Sequence, residues 1–116
     1  MTAAELLRAA VQRAGATPVG VDLHGRSDHY GFAAVGVPTA GLFSGALEPV
    51  TEDQASASGA TAGRPADPCY HQACDDVDNV GLPLARVLAS ALSDFTVRVA
   101  EEPGLLGWAP SGEGAS

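Results

Sequence analysis

Asp67-Pro68-Cys69-Tyr70-His71-Gln72-Ala73-Cys74-Asp75-Asp76 gathers both cysteines of the chain, a histidine between them and a tyrosine beside that histidine. Two thiols five residues apart can close a small ring on oxidation and hold Tyr70 and His71 in one fixed presentation. A pinned imidazole suits a metal ligand, and a neighbouring phenol suits a hydrogen-bond donor to an oxyanion. By the chain-entropy relation so short a ring contributes only about 2 kcal/mol, so its effect would be local rigidity. The same residues admit a second chemistry, in which Cys69, Cys74 and His71 join an Asp around a structural zinc. That reading needs a fourth ligand and usually a second CxxC-like pair, and the i, i+5 spacing matches no common finger, which favours the disulfide.

Two earlier segments also carry reactive residue types. Gly25-Arg26-Ser27-Asp28-His29-Tyr30-Gly31-Phe32 contains Ser, Asp and His, but contiguous residues cannot form a hydrolytic relay, because triads are assembled from separated segments. Gly41-Leu42-Phe43-Ser44-Gly45-Ala46 has the small residues that permit close backbone approach. Phe43 there reads, from the residues alone, as a core residue at a strand end. Asp75, Asp76 and Asp78 read as a solvated turn or as helix caps. Calcium is the other option for them, but the EF-hand pattern is absent.

The elements that must position these residues follow from periodicity and punctuation. Leu6, Leu7, Ala10, Val11 and Ala14 fall at helical spacing within residues 1–15, with Gly15 as the stop. Thr17 to Leu23 reads as a short strand and residues 24–31 as a loop. Ser27 or Asp28 is placed to cap a short helix over Tyr30 to Val35, and Val37 to Phe43 reads as a second strand. Residues 44–81 form a long connection rich in Gly, Ser, Ala, Pro and Asp, with one helical turn around Glu52 to Ala57; such connections are usually functional or disordered. Leu84, Val87, Leu88, Ala91, Leu92 and Phe95 mark a final amphipathic helix to about Val99, and residues 100–116 read as a disordered tail. The order helix, strand, loop, short helix, strand, long loop, helix gives an α/β class. Two strands make no stable open sheet alone, so this layer calls for neighbours.

Composition bounds the partners. The chain has 116 residues, 46% hydrophobic, with a net charge of −8 and only six Lys and Arg. That balance argues against nucleic acid or an anionic membrane, and no run of 18 apolar residues would span a bilayer. Residues 1–15 lack the basic and continuous apolar regions of a secretory signal, which as written implies a cytoplasmic product. A cysteine pair poised for a disulfide implies an oxidising compartment instead, and the simplest reconciliation is that sequence upstream is missing from the chain.

In their order and distances, the Gly-Arg-Ser-Asp-His segment, the Gly-Leu-Phe-Ser-Gly-Ala segment and Cys-Tyr-His-x-x-Cys-Asp together resemble the C-terminal part of metallopeptidase family 28. These are secreted bacterial aminopeptidases with two zincs. The resemblance covers roughly residues 3–97 and implies that residues 1–99 are the C-terminal segment of a catalytic α/β/α sandwich, with the long loop over the active site. It makes His71 the last zinc ligand in chain order and Tyr70 the phenol that stabilises the tetrahedral intermediate. It further implies that Arg26 helps to hold the substrate end, that Phe43 lines the pocket for the N-terminal side chain, and that Asp28 and His29 are architectural. The family's zincs are held by two His, two Asp and one Glu, with an adjacent Glu as general base. Of that set only His71 is present. Glu101-Glu102 lies on the wrong side of it, and the remaining motifs would precede residue 1. The expectation is therefore a segment of an aminopeptidase acting on peptide N-termini, inactive alone and without catalytically bound zinc, or completed by a separately encoded N-terminal fragment. The alternative is a non-catalytic peptide-binding or interaction module that keeps the substrate-pocket loop.

Overall fold

Thr2 starts the first helix by reciprocal capping. Its hydroxyl accepts the Glu5 N–H at 3.1 Å while the Glu5 carboxylate accepts the Thr2 N–H at 2.7 Å, so two otherwise unpaired donors are satisfied. In the computed structural model, which describes residues 1–22 and 24–108, helix α1 then runs Ala3–Arg13. Gly15, at φ 95°, closes it. Its N–H donates to Gln12 and the Ala16 N–H donates to Val11, the paired bonds by which a left-handed residue terminates a helix. Of the apolar stripe expected from spacing, Leu6, Leu7, Ala10 and Val11 are buried, together with Ala3, and Ala14 is partly buried.

The partner of that stripe is the long C-terminal helix. Four α-helices are present among the described residues: α1, α2 (His29–Ala34), α3 (Glu52–Ser58) and α4 (Leu82–Glu101), with single 3₁₀ turns at Val77–Asn79 and Pro103–Leu106. Pro83 in the first turn of α4 has its missing N–H where no intrahelical partner exists. The core is where α1 meets α4. Ala91, fully buried, touches Ala10 and Val11, and Ala14, Ala16, Leu42 and Phe95 pack around them. Small residues at this contact let the two helix backbones approach. Arg13 closes its rim, with Nε and Nη2 both donating to Asp94 Oδ2 at 2.9 and 2.6 Å.

The strands expected at Thr17–Leu23 and Val37–Phe43 are not formed. Residues 17–22 and 37–43 carry no ladder, and Leu23 lies outside the described residues. A strand persists by exchanging backbone hydrogen bonds with a neighbour, and the one isolated bridge among the described residues joins Pro49 and Pro65. Within the second of these segments, Leu42 packs against the helix core while Phe43 remains 45% exposed.

The short helix begins at His29 rather than Tyr30. Asp28 occupies its cap position in helical conformation, at φ −60° and ψ −20°, and its side chain makes no capping bond; capping needs the extended backbone that swings a side chain over the first amides. α4 extends to Glu101, past the expected Val99, and a 3₁₀ turn follows at Pro103–Leu106. Residues 109–116 of the expected tail lie outside the described residues.

The connection from 44 to 81 is held by its own bonds. The Val50 N–H donates to Arg64 and the Gly63 N–H to Val50, each at 2.8 Å, with the Val50 side chain buried beneath. Inside this clasp, Thr51 and Gln54 form a second capping box on α3, and Gly59 ends that helix at φ 76°.

Candidate functional site

Asp67 opens the cysteine loop with a turn made by its own side chain: Oδ1 accepts the Cys69 N–H at 3.0 Å. Its backbone N–H donates to the carbonyl of the buried Ala46 at 3.0 Å, so the loop is rooted at the end of the segment carrying Phe43. Gly45 makes that junction possible. It sits at φ 101°, and a Cβ there would collide with the Cβ of Ala66.

Cys69 and Cys74 are joined in a disulfide across 5.4 Å between their Cα atoms. Both sulfurs are therefore spent, and the structural-zinc alternative loses its two thiolates. Within the ring the Gln72 N–H donates to the Cys69 carbonyl at 2.9 Å and the Asp75 N–H to the Gln72 carbonyl at 3.0 Å. His71 takes a left-handed backbone, φ 56°. Its imidazole stacks on the Tyr70 ring with centroids 4.0 Å apart and planes 18° from parallel. Tyr70 is half-buried and His71 exposed, so the pair is fixed by contact and open to a ligand on its outer side.

The acidic cluster after the ring serves as turns and caps. Asp76 Oδ1 accepts the Asp78 N–H at 3.0 Å and starts the 3₁₀ turn Val77–Asn79. From that turn the Asn79 amide reaches back, with Nδ2 donating to Asp67 Oδ1 at 3.0 Å and to Asp75 Oδ1 at 2.9 Å. Sequence reading missed Asn79 and Asp67. The Asp67-Pro68 pair was a legible turn signal, but a bond spanning twelve residues has no periodic signature.

The remaining candidates lie on other surfaces. Arg26 is exposed on the turn before α2. That turn is shaped by two left-handed residues, His24 at φ 50° and Gly25 at φ 73°, and Gly25 lies against the ring of Tyr30. Asp22 sets the turn by accepting the His24 N–H at 2.7 Å. Phe43 is exposed on the extended segment leading to the loop root. The fold thus brings Tyr70, His71 and the disulfide together and ties them to the end of the Phe43 segment, with Arg26 on a separate turn.

A catalytic zinc needs at least three protein ligands. No group of three or more His, Cys, Asp or Glu able to hold a metal gathers among the described residues. The described residues taken by themselves do not assemble a zinc centre.

Comparison with known proteins gives the family. The chain belongs to peptidase family M28, whose family model matches residues 2–96. It is 43% identical over 70 residues to a probable lipoprotein aminopeptidase, LpqL, of Mycobacterium tuberculosis, covering 60% of this chain and 14% of that protein. It is 44% identical over 64 residues to leupeptin-inactivating enzyme 1 of Streptomyces exfoliatus, covering 55% of this chain and 15% of the relative. An aminopeptidase of Pseudomonas aeruginosa is 36% identical over 77 residues, 66% of this chain and 14% of the enzyme. The chain therefore matches about one-seventh of the length of each of these relatives.

Proposed function

We propose that this chain is the C-terminal segment of a zinc-dependent aminopeptidase, supplying one metal ligand, the oxyanion donor and part of the substrate pocket to a site completed by other polypeptide. The observation that carries the reading is the Tyr70–His71 stack held inside the disulfide ring, in a chain whose family match runs through residues 2–96. In this reading His71 is a zinc ligand, and its zinc needs further His, Asp and Glu donors from outside the described residues. The Tyr70 phenol donates a hydrogen bond to the oxyanion of the tetrahedral intermediate. Phe43 forms a wall of the apolar pocket for the N-terminal side chain, and Arg26 holds the substrate end. Residues 17–22 and 37–43 become strands in an α/β/α sandwich once a neighbouring sheet edge pairs with them. The disulfide suits a secreted enzyme.

The test is complementation. The chain is produced alone and together with a polypeptide carrying the His-x-Asp and Glu-Glu motifs, and leucine p-nitroanilide hydrolysis and bound zinc are measured for both. The expected result is no hydrolysis by the chain alone and zinc-dependent hydrolysis by the pair, abolished by His71→Ala. Hydrolysis that survives His71→Ala overturns the ligand assignment. A pair that binds peptide N-termini without ever hydrolysing them favours the binding module.

A further inference from the structure

The disulfide fixes the ring between Cys69 and Cys74 but not the direction in which the ring points. A closed ring can still swing as a unit about its two stems. The entering stem is Asp67-Pro68 and the leaving stem is Asp75. The Asn79 side chain joins these two stems: its Nδ2 donates one hydrogen to Asp67 Oδ1 at 3.0 Å and the other to Asp75 Oδ1 at 2.9 Å. An amide nitrogen has two hydrogens, and both are used. The reverse orientation would set the amide oxygen against two carboxylate oxygens, so the donor assignment is chemically forced.

Asn79 is itself anchored. Its backbone N–H donates to the Asp76 carbonyl at 3.0 Å, in the 3₁₀ turn that the Asp76 side chain starts. Asp67, the other end of the bridge, is fixed to the buried Ala46 through its backbone N–H. One continuous path of hydrogen bonds therefore runs from the buried Ala46 through Asp67 and Asn79 to Asp75, passing outside the ring that carries His71. Amide-to-carboxylate bonds are charge-assisted and stronger than neutral ones.

We propose that Asn79 is a positioning residue for His71, bridging the two stems of the disulfide loop so that the imidazole keeps its left-handed, Tyr70-stacked presentation. The role of that presentation in catalysis rests on the aminopeptidase reading above. The bridge itself is a property of this chain and is testable without metal or substrate.

The experiment is solution NMR of the oxidised full chain, following cross-peaks between the Tyr70 and His71 rings and the ring-current shifts of the His71 protons. Amide shifts of α1 and α4 serve as the control for folding, since Asn79 is exposed and lies outside that helix pair. Asn79→Ala is expected to remove the inter-ring cross-peaks and return the His71 shifts towards free histidine, with the α1 and α4 shifts unchanged. Asn79→Asp keeps the size and shape of the side chain but replaces the donor nitrogen with an acceptor oxygen facing Asp67 and Asp75. It is expected to lose both signals as Asn79→Ala does, which a merely space-filling role for Asn79 would not produce. Retention of the ring contact in Asn79→Ala overturns the proposal. So does a folded Asn79→Asp variant in which the contact is kept. Failure of the aminopeptidase reading is seen separately, as hydrolysis indifferent to His71→Ala in the complemented enzyme, with the ring signals still dependent on Asn79.

Discussion

With φ at 56°, His71 holds a left-handed backbone that costs a residue with a β-carbon about 1 kcal/mol. Such a conformation persists only where its surroundings over-determine it. Here the Cys69–Cys74 bond, the Asp67 turn and the ring of Tyr70 all bear on that one residue. The chemistry expected of the pair gives a separable prediction for its second member. In the assembled enzyme Tyr70→Phe keeps the aromatic stack and removes only the phenolic donor. It should lower kcat by about 100-fold, the scale of one oxyanion donor, with little change in KM. Steady-state kinetics on leucine p-nitroanilide reads the split, and an unchanged kcat would remove Tyr70 from the chemistry. The residue types, their order and the disulfide were legible in the sequence. The Asn79 bridge was not, because side-chain bonds across an irregular loop leave no repeat to read.

At the scale of elements, the two long helices were legible because each carries a sustained apolar stripe. The first also has Gly15 as its stop, while the end of α4 was read short, at Val99 rather than Glu101. The strands were over-read. Apolar alternation reports which side chains could be covered, while a strand also needs a partner backbone, and none pairs with residues 17–22 or 37–43 among the described residues. Packing at the α1–α4 contact depends on the smallness of Ala91, which has no exposed surface. Ala91→Leu should cost about 2 kcal/mol by overpacking, read as a lowered denaturant midpoint. The Arg13–Asp94 pair at the same contact is about half exposed on both sides, 46% and 39%. Losing it should cost less than about 1 kcal/mol.

The α1 cap has a predictable response to pH. The Glu5 carboxyl is held below its ordinary value first by the Thr2 backbone N–H and then by the Thr2 hydroxyl. A depressed folded value means that its contribution is present above the ordinary Glu range and is lost as pH falls through the lowered value. NMR titration of Glu5 with the Thr2 amide should show both leaving together on acidification. A Glu5 titration at its ordinary value, with the Thr2 amide unmoved, would remove the coupling.

The whole molecule is extended, with principal extents of 57 × 28 × 27 Å and a radius of gyration of 16.6 Å. A compact domain of this length would have a radius of about 13 Å. Many large apolar side chains remain exposed, among them Phe32 at 61%, Val35 at 77%, Val77 at 82% and Leu82 at 63%. One buried contact between two helices leaves these residues uncovered. The chain alone should therefore bind a hydrophobic dye such as ANS strongly, and on the reading proposed above complementation should suppress that fluorescence. Fluorescence that stays unchanged in an active pair would mean that the complementing polypeptide covers other surfaces.

The contact between Gly45 and Ala66 also carries a consequence for descent. A side chain at position 45 would collide with the Cβ of Ala66, so position 45 cannot gain a carbon while Ala66 stands. Ala66→Gly would make room for a methyl at position 45, although the backbone there, at φ 101°, still favours glycine. The two positions should therefore behave in lineages as an asymmetric suppressor pair. Position 66 is free to shrink in advance, and position 45 follows only after it, so the order of mutations matters as well as their identity.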